Sequence, residues 1–296
     1  MPWHALLSCT QRLPAQPLDD WFTALQVQLG EVEPWPLALR GGRLAATPGL
    51  AFLAGYQAAL RVLWPSAPKG LGALCVTENK STRPADMHTR LSGLTLSGRK
   101  DFVTAAEAAD WLLVAARDET EGAPVHLSLA VVYRGAPGVR IEPLPNLPLM
   151  PDIGHARLHL DHAHCELLAG DGWDAYVKPC RSIEDLYVLS AVTAWLYGVG
   201  QDSGWPQSLQ LRLLALLAGC AELTRHCPNA ATSHVLLAGL FAQLAALRAE
   251  IDTAMQAGPA LWAQLWQRDH HLLNIAASAR AKRLEKALSG FTRLAP

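Results

Sequence analysis

The densest collection of reactive side chains lies between Gly154 and Cys165, GHARLHLDHAHC, with His155, His159, His162, His164 and Cys165. Imidazole and thiolate are suited to zinc or copper. A strand alternates its faces, so His162 and His164 share one while Cys165 points to the other. Leu158 and Leu160 read as the core-facing pair, which turns His159 and Asp161 outward. An exposed histidine-rich strand is the better reading, and no metal is expected. His270 and His271 are adjacent and cannot easily ligate one ion from a single helix. Arg280, Lys282, Arg283 and Lys286 form a basic end to the last helix, where cations meet the helix dipole favourably. The chain has no G-x-S-x-G elbow, no Walker A loop and no G-x-G-x-x-G. What remains is CVTENKSTRP, Cys75 to Pro84, a buried-strand pattern carrying Thr77 and Glu78 that runs into a polar loop without glycine.

The elements that must position these residues change character twice along the chain. Residues 18–64 read as helical: Asp19 and Asp20 suit a helix start, Gly30 a helix end, Thr47-Pro48 a cap with proline in the first turn, and Trp64-Pro65 a stop. Residues 70–168 read as strands, with turn signals at Ser97-Gly98 and at Gly135 to Gly138, and four prolines between Pro143 and Pro151. Residues 180–290 read as four helices, about 182–200, 207–226, 230–256 and 259–288. Leu211, Leu214, Leu217 and Cys220 predict one buried stripe, and Leu236, Leu240, Leu244 and Leu247 another. Helices with such stripes bury them in a four-helix bundle. The predicted domains are a shortened helical domain (1–69), a β domain (70–179) and a C-terminal bundle (180–296), an α+β chain.

The chain has 296 residues, half of them hydrophobic, and a formal net charge of −1, which argues against a nucleic-acid partner. Six cysteines with no C-x-x-C spacing read as free thiols in a reducing compartment, and the N-terminus lacks a secretory pattern, so a cytoplasmic location is expected. The uncharged run Ala230 to Leu247 contains Ser233, His234 and Gln243, which favour a bundle helix over a membrane span.

Three segments, in this order, resemble the acyl-CoA dehydrogenase family of flavoproteins. LCVTEN, Leu74 to Asn79, is similar to its strand ending in Thr-Glu. LSGRKDFVTAAEAADWLLVAAR, Leu96 to Arg117, is similar to its "N-G-x-K-x-W-I-T" hairpin. Leu158 to Gly200 resembles the last β strand, the Gly-x-Gly entry and the first helix of the bundle. RDHHLLNIA, Arg268 to Ala276, resembles the penultimate motif more weakly. The resemblance implies bound FAD, an acyl-CoA-type thioester substrate oxidised to its 2-enoyl product, and a place in fatty acid metabolism. It also implies roles. Thr77 would touch the flavin pyrimidine edge, Thr104 would lie near N5, and Phe102 would take the ring-packing tryptophan's place.

The chain departs from the family in ways that bear on activity. Lys80-Ser81-Thr82-Arg83-Pro84 replaces a glycine-serine loop that approaches phosphates, and Lys80 and Arg83 would supply charge instead. Ala277 falls at the family's catalytic glutamate. Asp185 falls where some members carry the base on the first bundle helix, Glu184 lies on a different helical face, and Leu186 replaces an arginine. VGQDSGWPQS stands where the family has an Arg-x-x-Phe-Gly-Lys-Pro loop, whose arginine helps bind a neighbouring subunit's FAD. The leading expectation is a flavin-dependent oxidoreductase with weak or lost activity as one outcome, built as a homo- or hetero-oligomer. The alternative is a non-catalytic relative serving as a partner subunit or ligand-binding protein.

Overall fold

The structure, a computed structural model, describes residues 2–9, 11–118 and 124–292. Four helices come first: α1 (Pro2–Ser8), α2 (Leu18–Leu29), α3 (Pro34–Leu44) and α4 (Pro48–Leu63). The punctuation read in the sequence sets their ends. Gly30 closes α2 with φ 67°, and the Thr47 hydroxyl accepts from the Leu50 N–H at 3.1 Å ahead of Pro48.

The middle segment is a single twisted sheet. Its strands are β1 (Gly72–Cys75), β2 (Arg90–Ser92), β3 (Thr95–Thr104), β4 (Trp111–Arg117), β5 (Leu127–Tyr133), β6 (Val139–Pro143), β7 (His155–His164) and β8 (Glu166–Leu167). They lie in the order β6-β7-β3-β2-β4-β5-β8, with β1 parallel to β4. One face carries its own apolar layer, including Leu96, Val103, Leu112, Val114, Leu158 and Leu160.

The C-terminal segment is α5 (Lys178–Asp202), α6 (Gln207–Leu223), α7 (Ala231–Ala257), α8 (Ala260–Asp269) and α9 (Ala277–Thr292). α5 is buried on nearly every side, the pattern of a central helix. α3 and α4 lie directly on it. A Cβ on Gly42 would sit 2.1 Å from the Ala191 carbonyl oxygen, and one on Gly55 2.7 Å from Val188 Cα. Glycine at these two positions permits that approach, so both helical segments share one core with α5 at its centre.

The helix predicted over 259–288 is two helices. α8 stops at Asp269, a 3₁₀ turn covers His270–Asn274, and α9 follows. Asp269 is fully buried and accepts from the Met150 N–H at 2.9 Å, while the His270 ring contacts the Trp266 and Gln267 carbonyls that would carry the helix ladder onward. The predicted stripes are also displaced. α6 buries Leu209, Leu213, Leu216, Leu217 and Cys220, with Leu211 exposed; α7 buries Leu237, Leu240, Leu244 and Leu247, with Leu236 exposed. Among the described residues α7 alone is long and apolar enough to cross a membrane, with 28% of its most apolar window buried.

Candidate functional site

Beyond β1 the chain runs through Val76 and Thr77 to Glu78, whose side chain is buried. Its carboxylate accepts from the His88 N–H (2.5 Å), the Thr89 N–H (3.2 Å), the Thr89 hydroxyl (2.7 Å) and Lys100 Nζ (2.5 Å). Lys100 is 0% exposed. Burial alone would raise Glu78, but Lys100, Thr89 and His88 together hold it below the usual carboxylate range. Burial lowers Lys100 against the pull of Glu78. A buried pair with this many donors is a structural tie that pins the end of β1 to β3.

The polar loop that follows is a two-residue hairpin. Glu78 N–H donates to Ser81 O (2.9 Å), Ser81 N–H donates to Glu78 O (2.7 Å), and Asn79 and Lys80 have φ of 48° and 61°. Asn79 tolerates that region, whereas Lys80 pays about 1 kcal/mol for its Cβ. The Asn79 N–H donates to Asp101 at 2.6 Å. These three backbone donors are therefore spent within the protein and do not form a phosphate nest. The exposed side chains of Lys80 and Arg83 remain for that task.

β3 carries the outward-facing residues. Leu96, Lys100 and Val103 are buried, a spacing that simple alternation forbids. A register shift between Lys100 and Val103 explains it: the irregularity reverses the facing, so Phe102 (39% exposed) and Thr104 turn outward. The Asp101 N–H donates to Thr77 O at 2.9 Å, which sets Thr77 beside them. Phe102 stacks on His155, centroids 4.4 Å apart, and His155 is also the cross-strand partner of Thr104. His155 is buried, and burial lowers its pKa. The Thr77 and Thr104 hydroxyls have no hydrogen-bond partner among the described residues. The structure thus gathers Thr77, Phe102 and Thr104, with His155 behind them. The other strand histidines are engaged elsewhere: His159 with Glu142, His162 with Asp161, and His164 with the Leu94 carbonyl. Among the described residues no three metal-ligating side chains converge.

The start of α5 meets the loop that follows Thr77. The Asp171 carboxylate accepts from the Trp173 and Asp174 N–H groups, and a wide turn, Gly172–Val177, leads into the helix. Arg181 donates to the Thr82 hydroxyl and so ties α5 to the loop after Thr77. One turn on, Asp185 is buried. Its carboxylate accepts from Arg280 at 2.7 Å and from Arg283 at 2.5 Å, and Arg280 lies 3.8 Å over the Phe241 ring. Burial raises the Asp185 pKa against the opposing pull of Arg280 and Arg283. Both oxygens of Asp185, the base candidate named from the sequence, are occupied by guanidinium groups. Ala277 is exposed at the start of α9, one turn before Arg280.

Glu184, set aside in the sequence as lying on another helical face, is half-buried. Burial, then the charge of Asp185, pushes it up to about 7, with Arg181 opposing. It acts electrostatically on Tyr56, whose hydroxyl accepts the Leu74 N–H at 2.8 Å, so it belongs to the junction of α4, α5 and β1. A helix buried on nearly every side has no solvent face to which such an acid could be assigned by periodicity.

Comparison with known proteins accords with this architecture. Residues 73–163 match the family described as "Acyl-CoA dehydrogenase, middle domain". No curated protein matches the sequence. Among solved structures, FkbI for biosynthesis of the methoxymalonyl extender unit of the Fk520 polyketide aligns at 21% identity and TM-score 0.61, over 95% of this chain and 90% of that one. PigA in complex with FAD aligns at 17% and 0.59, over 92% and 89%. Glutaryl-CoA dehydrogenase from Mycobacterium smegmatis aligns at 13% and 0.62, over 93% and 87%. The chain has the acyl-CoA dehydrogenase-like fold in a divergent form, with the middle domain matched in sequence and the helices on either side matched in structure.

Proposed function

We propose that the chain is a flavin-dependent oxidoreductase acting on an acyl thioester of the CoA type. The observation that carries this reading is the irregularity in β3 that turns Phe102 and Thr104 outward beside Thr77. An apolar ring flanked by two hydroxyls without partners among the described residues suits the edge and face of an isoalloxazine. The middle-domain match and the FAD complex of PigA support the same reading. FAD fits the ring end through Thr77, Phe102 and Thr104. At its phosphate end the closed hairpin leaves the side chains of Lys80 and Arg83 in place of a backbone cradle. When bound, the flavin supplies a hydride acceptor.

Removing a proton from an acyl thioester requires a carboxylate not already committed to cations. Asp185 is committed to Arg280 and Arg283, so in this reading it is a positioning residue. Glu184, pushed up to about 7, has the protonation behaviour of a base working near neutral pH. The arginine-held Asp185 and the alanine at 277 also favour a second reading, a non-catalytic relative that binds a ligand or partner. The purified protein's visible spectrum, followed by titration with FAD, tests the first. Retained or saturably bound flavin supports it, with weaker binding expected for Thr77→Ala/Thr104→Ala. A protein that stays colourless in excess FAD refutes it.

A further inference from the structure

The N-terminal helices hold a second charged site, distant in sequence from the flavin-facing residues. Arg43 on α3 is 1% exposed. Its Nη2 donates to the Cys9 carbonyl at 2.6 Å and to Asp202 at 2.9 Å, and its Nε donates to Gln201 at 3.2 Å. Nη1 is buried with no partner among the described residues. Arg12 reaches the same carboxylate, Nε to Asp202 at 2.8 Å, and Nη1 donates to the Ala45 carbonyl at 2.6 Å. Its Nη2 is likewise buried and unpartnered. The space for both guanidiniums under α5 comes from Gly198, where a Cβ would sit 2.6 Å from Arg43 Cδ and 2.9 Å from Arg12 Nη2.

Arg43 lines a cavity of about 200 Å³ together with Ser8, Cys9, Gln28 and Arg40. Arg40 is one turn before Arg43 on α3, half-buried, and without an ion-pair partner among the described residues. Arg12 and Arg43 share one carboxylate, Asp202, and Arg40 on the cavity wall adds a third guanidinium with no carboxylate of its own among the described residues. Two positive charges are therefore in excess, one within the pair that shares Asp202 and one on Arg40. A buried cation that must share its counterion is costly, and an anion in the adjoining space offsets that cost. Arginine forks match the geometry of phosphate oxygens, and a dianion equals the excess charge.

We propose that this cavity binds a phosphate group, held between Arg43 Nη1 and the Arg40 guanidinium. The test is thermal denaturation of the full chain at constant pH and matched ionic strength, in sodium phosphate, acetate or chloride. A saturable rise in Tm with phosphate alone is expected. Arg40→Gln, at a half-buried position, should keep the ligand-free Tm and weaken phosphate binding about tenfold; Arg43→Lys, which keeps the charge and loses the fork, should weaken it as well. Phosphopantetheine compared with inorganic phosphate separates the sources. Tighter binding of phosphopantetheine assigns the cavity to a phosphate carried on a larger ligand, and equal binding assigns it to the free ion. The proposal is overturned by equal responses to phosphate and chloride, by acetate matching phosphate, or by Arg40→Gln retaining the full response.

Discussion

Replacing Glu184 with glutamine should make the protein more stable at alkaline pH, by an amount that grows with pH. The folded state raises this acid from its ordinary 4.5 to about 7. Between those values the folded chain binds a proton that the unfolded chain has released, so stability falls as pH rises through the interval. The full difference is 7 minus 4.5, and at 1.36 kcal/mol per unit it amounts to about 3 kcal/mol above pH 7. That is an upper figure, because a half-buried side chain keeps part of its hydration. Glutamine imitates the protonated acid and removes the dependence. The advantage of Glu184→Gln over wild type should be about 1 kcal/mol at pH 5.5, where only one unit of the interval has been crossed, and about 3 kcal/mol at pH 8. Urea denaturation followed by tryptophan fluorescence at both pH values measures it. Two stability curves that run parallel between pH 5.5 and pH 8 would refute the reasoning, since a constant offset reports packing and not titration.

Four further outcomes follow from the same geometry. Asp185→Asn removes the charge that helps to lift Glu184, so the pH midpoint of the difference curve should move from about 7 toward 4.5. Lys100→Met leaves Glu78 buried without its cation and should cost about 3–5 kcal/mol in urea denaturation; adding Glu78→Gln should recover at least half of that. Lys80→Gly relieves the positive φ in the hairpin and should gain about 0.5–1 kcal/mol, read from the denaturation midpoint. Leu237→Ala should cost about 2–4 kcal/mol while Leu236→Ala costs about 0.5 kcal/mol, and equal costs would show that α7 faces its core differently.

Local chemistry was legible in the sequence wherever one residue decides the backbone. Gly30, Thr47 and Pro48 mark helix ends because a left-handed φ, a side-chain acceptor and a missing N–H each act on the spot. The helix–sheet–helix order followed from such punctuation. Facing was harder. α6 and α7 carry leucines around much of their circumference, so several stripes satisfy the same period and only the neighbours choose between Leu236 and Leu237. The facing of Val103, Phe102 and Thr104 was not legible, because a register shift leaves no mark in residue type. The arginines on Asp185 lie 95 and 98 residues away in sequence, beyond any local signal. Their cluster was explained by the helix dipole, whereas in the structure Arg280 and Arg283 point across the bundle to α5.

In the proposed reading, the two demands of dehydrogenation, an acceptor for hydride and a base for the proton, have separate physical origins. The ring-facing surface depends on one irregularity in β3 and on short hydroxyl side chains, and it tolerates a closed hairpin next door because Glu78 and Lys100 anchor the strand end independently. The raised pKa of Glu184 comes first from burial and then from the charge of Asp185. Arg280 and Arg283 oppose the burial that raises Asp185 and so favour its ionised form, and an ionised Asp185 raises its neighbour Glu184. The ion pair is therefore more than a clamp between α5 and α9: the cations that occupy one carboxylate act through it to bring the next one toward neutrality. In that reading, alanine at 277 is compatible with a base because Glu184, raised to about 7, is a carboxylate brought toward neutrality.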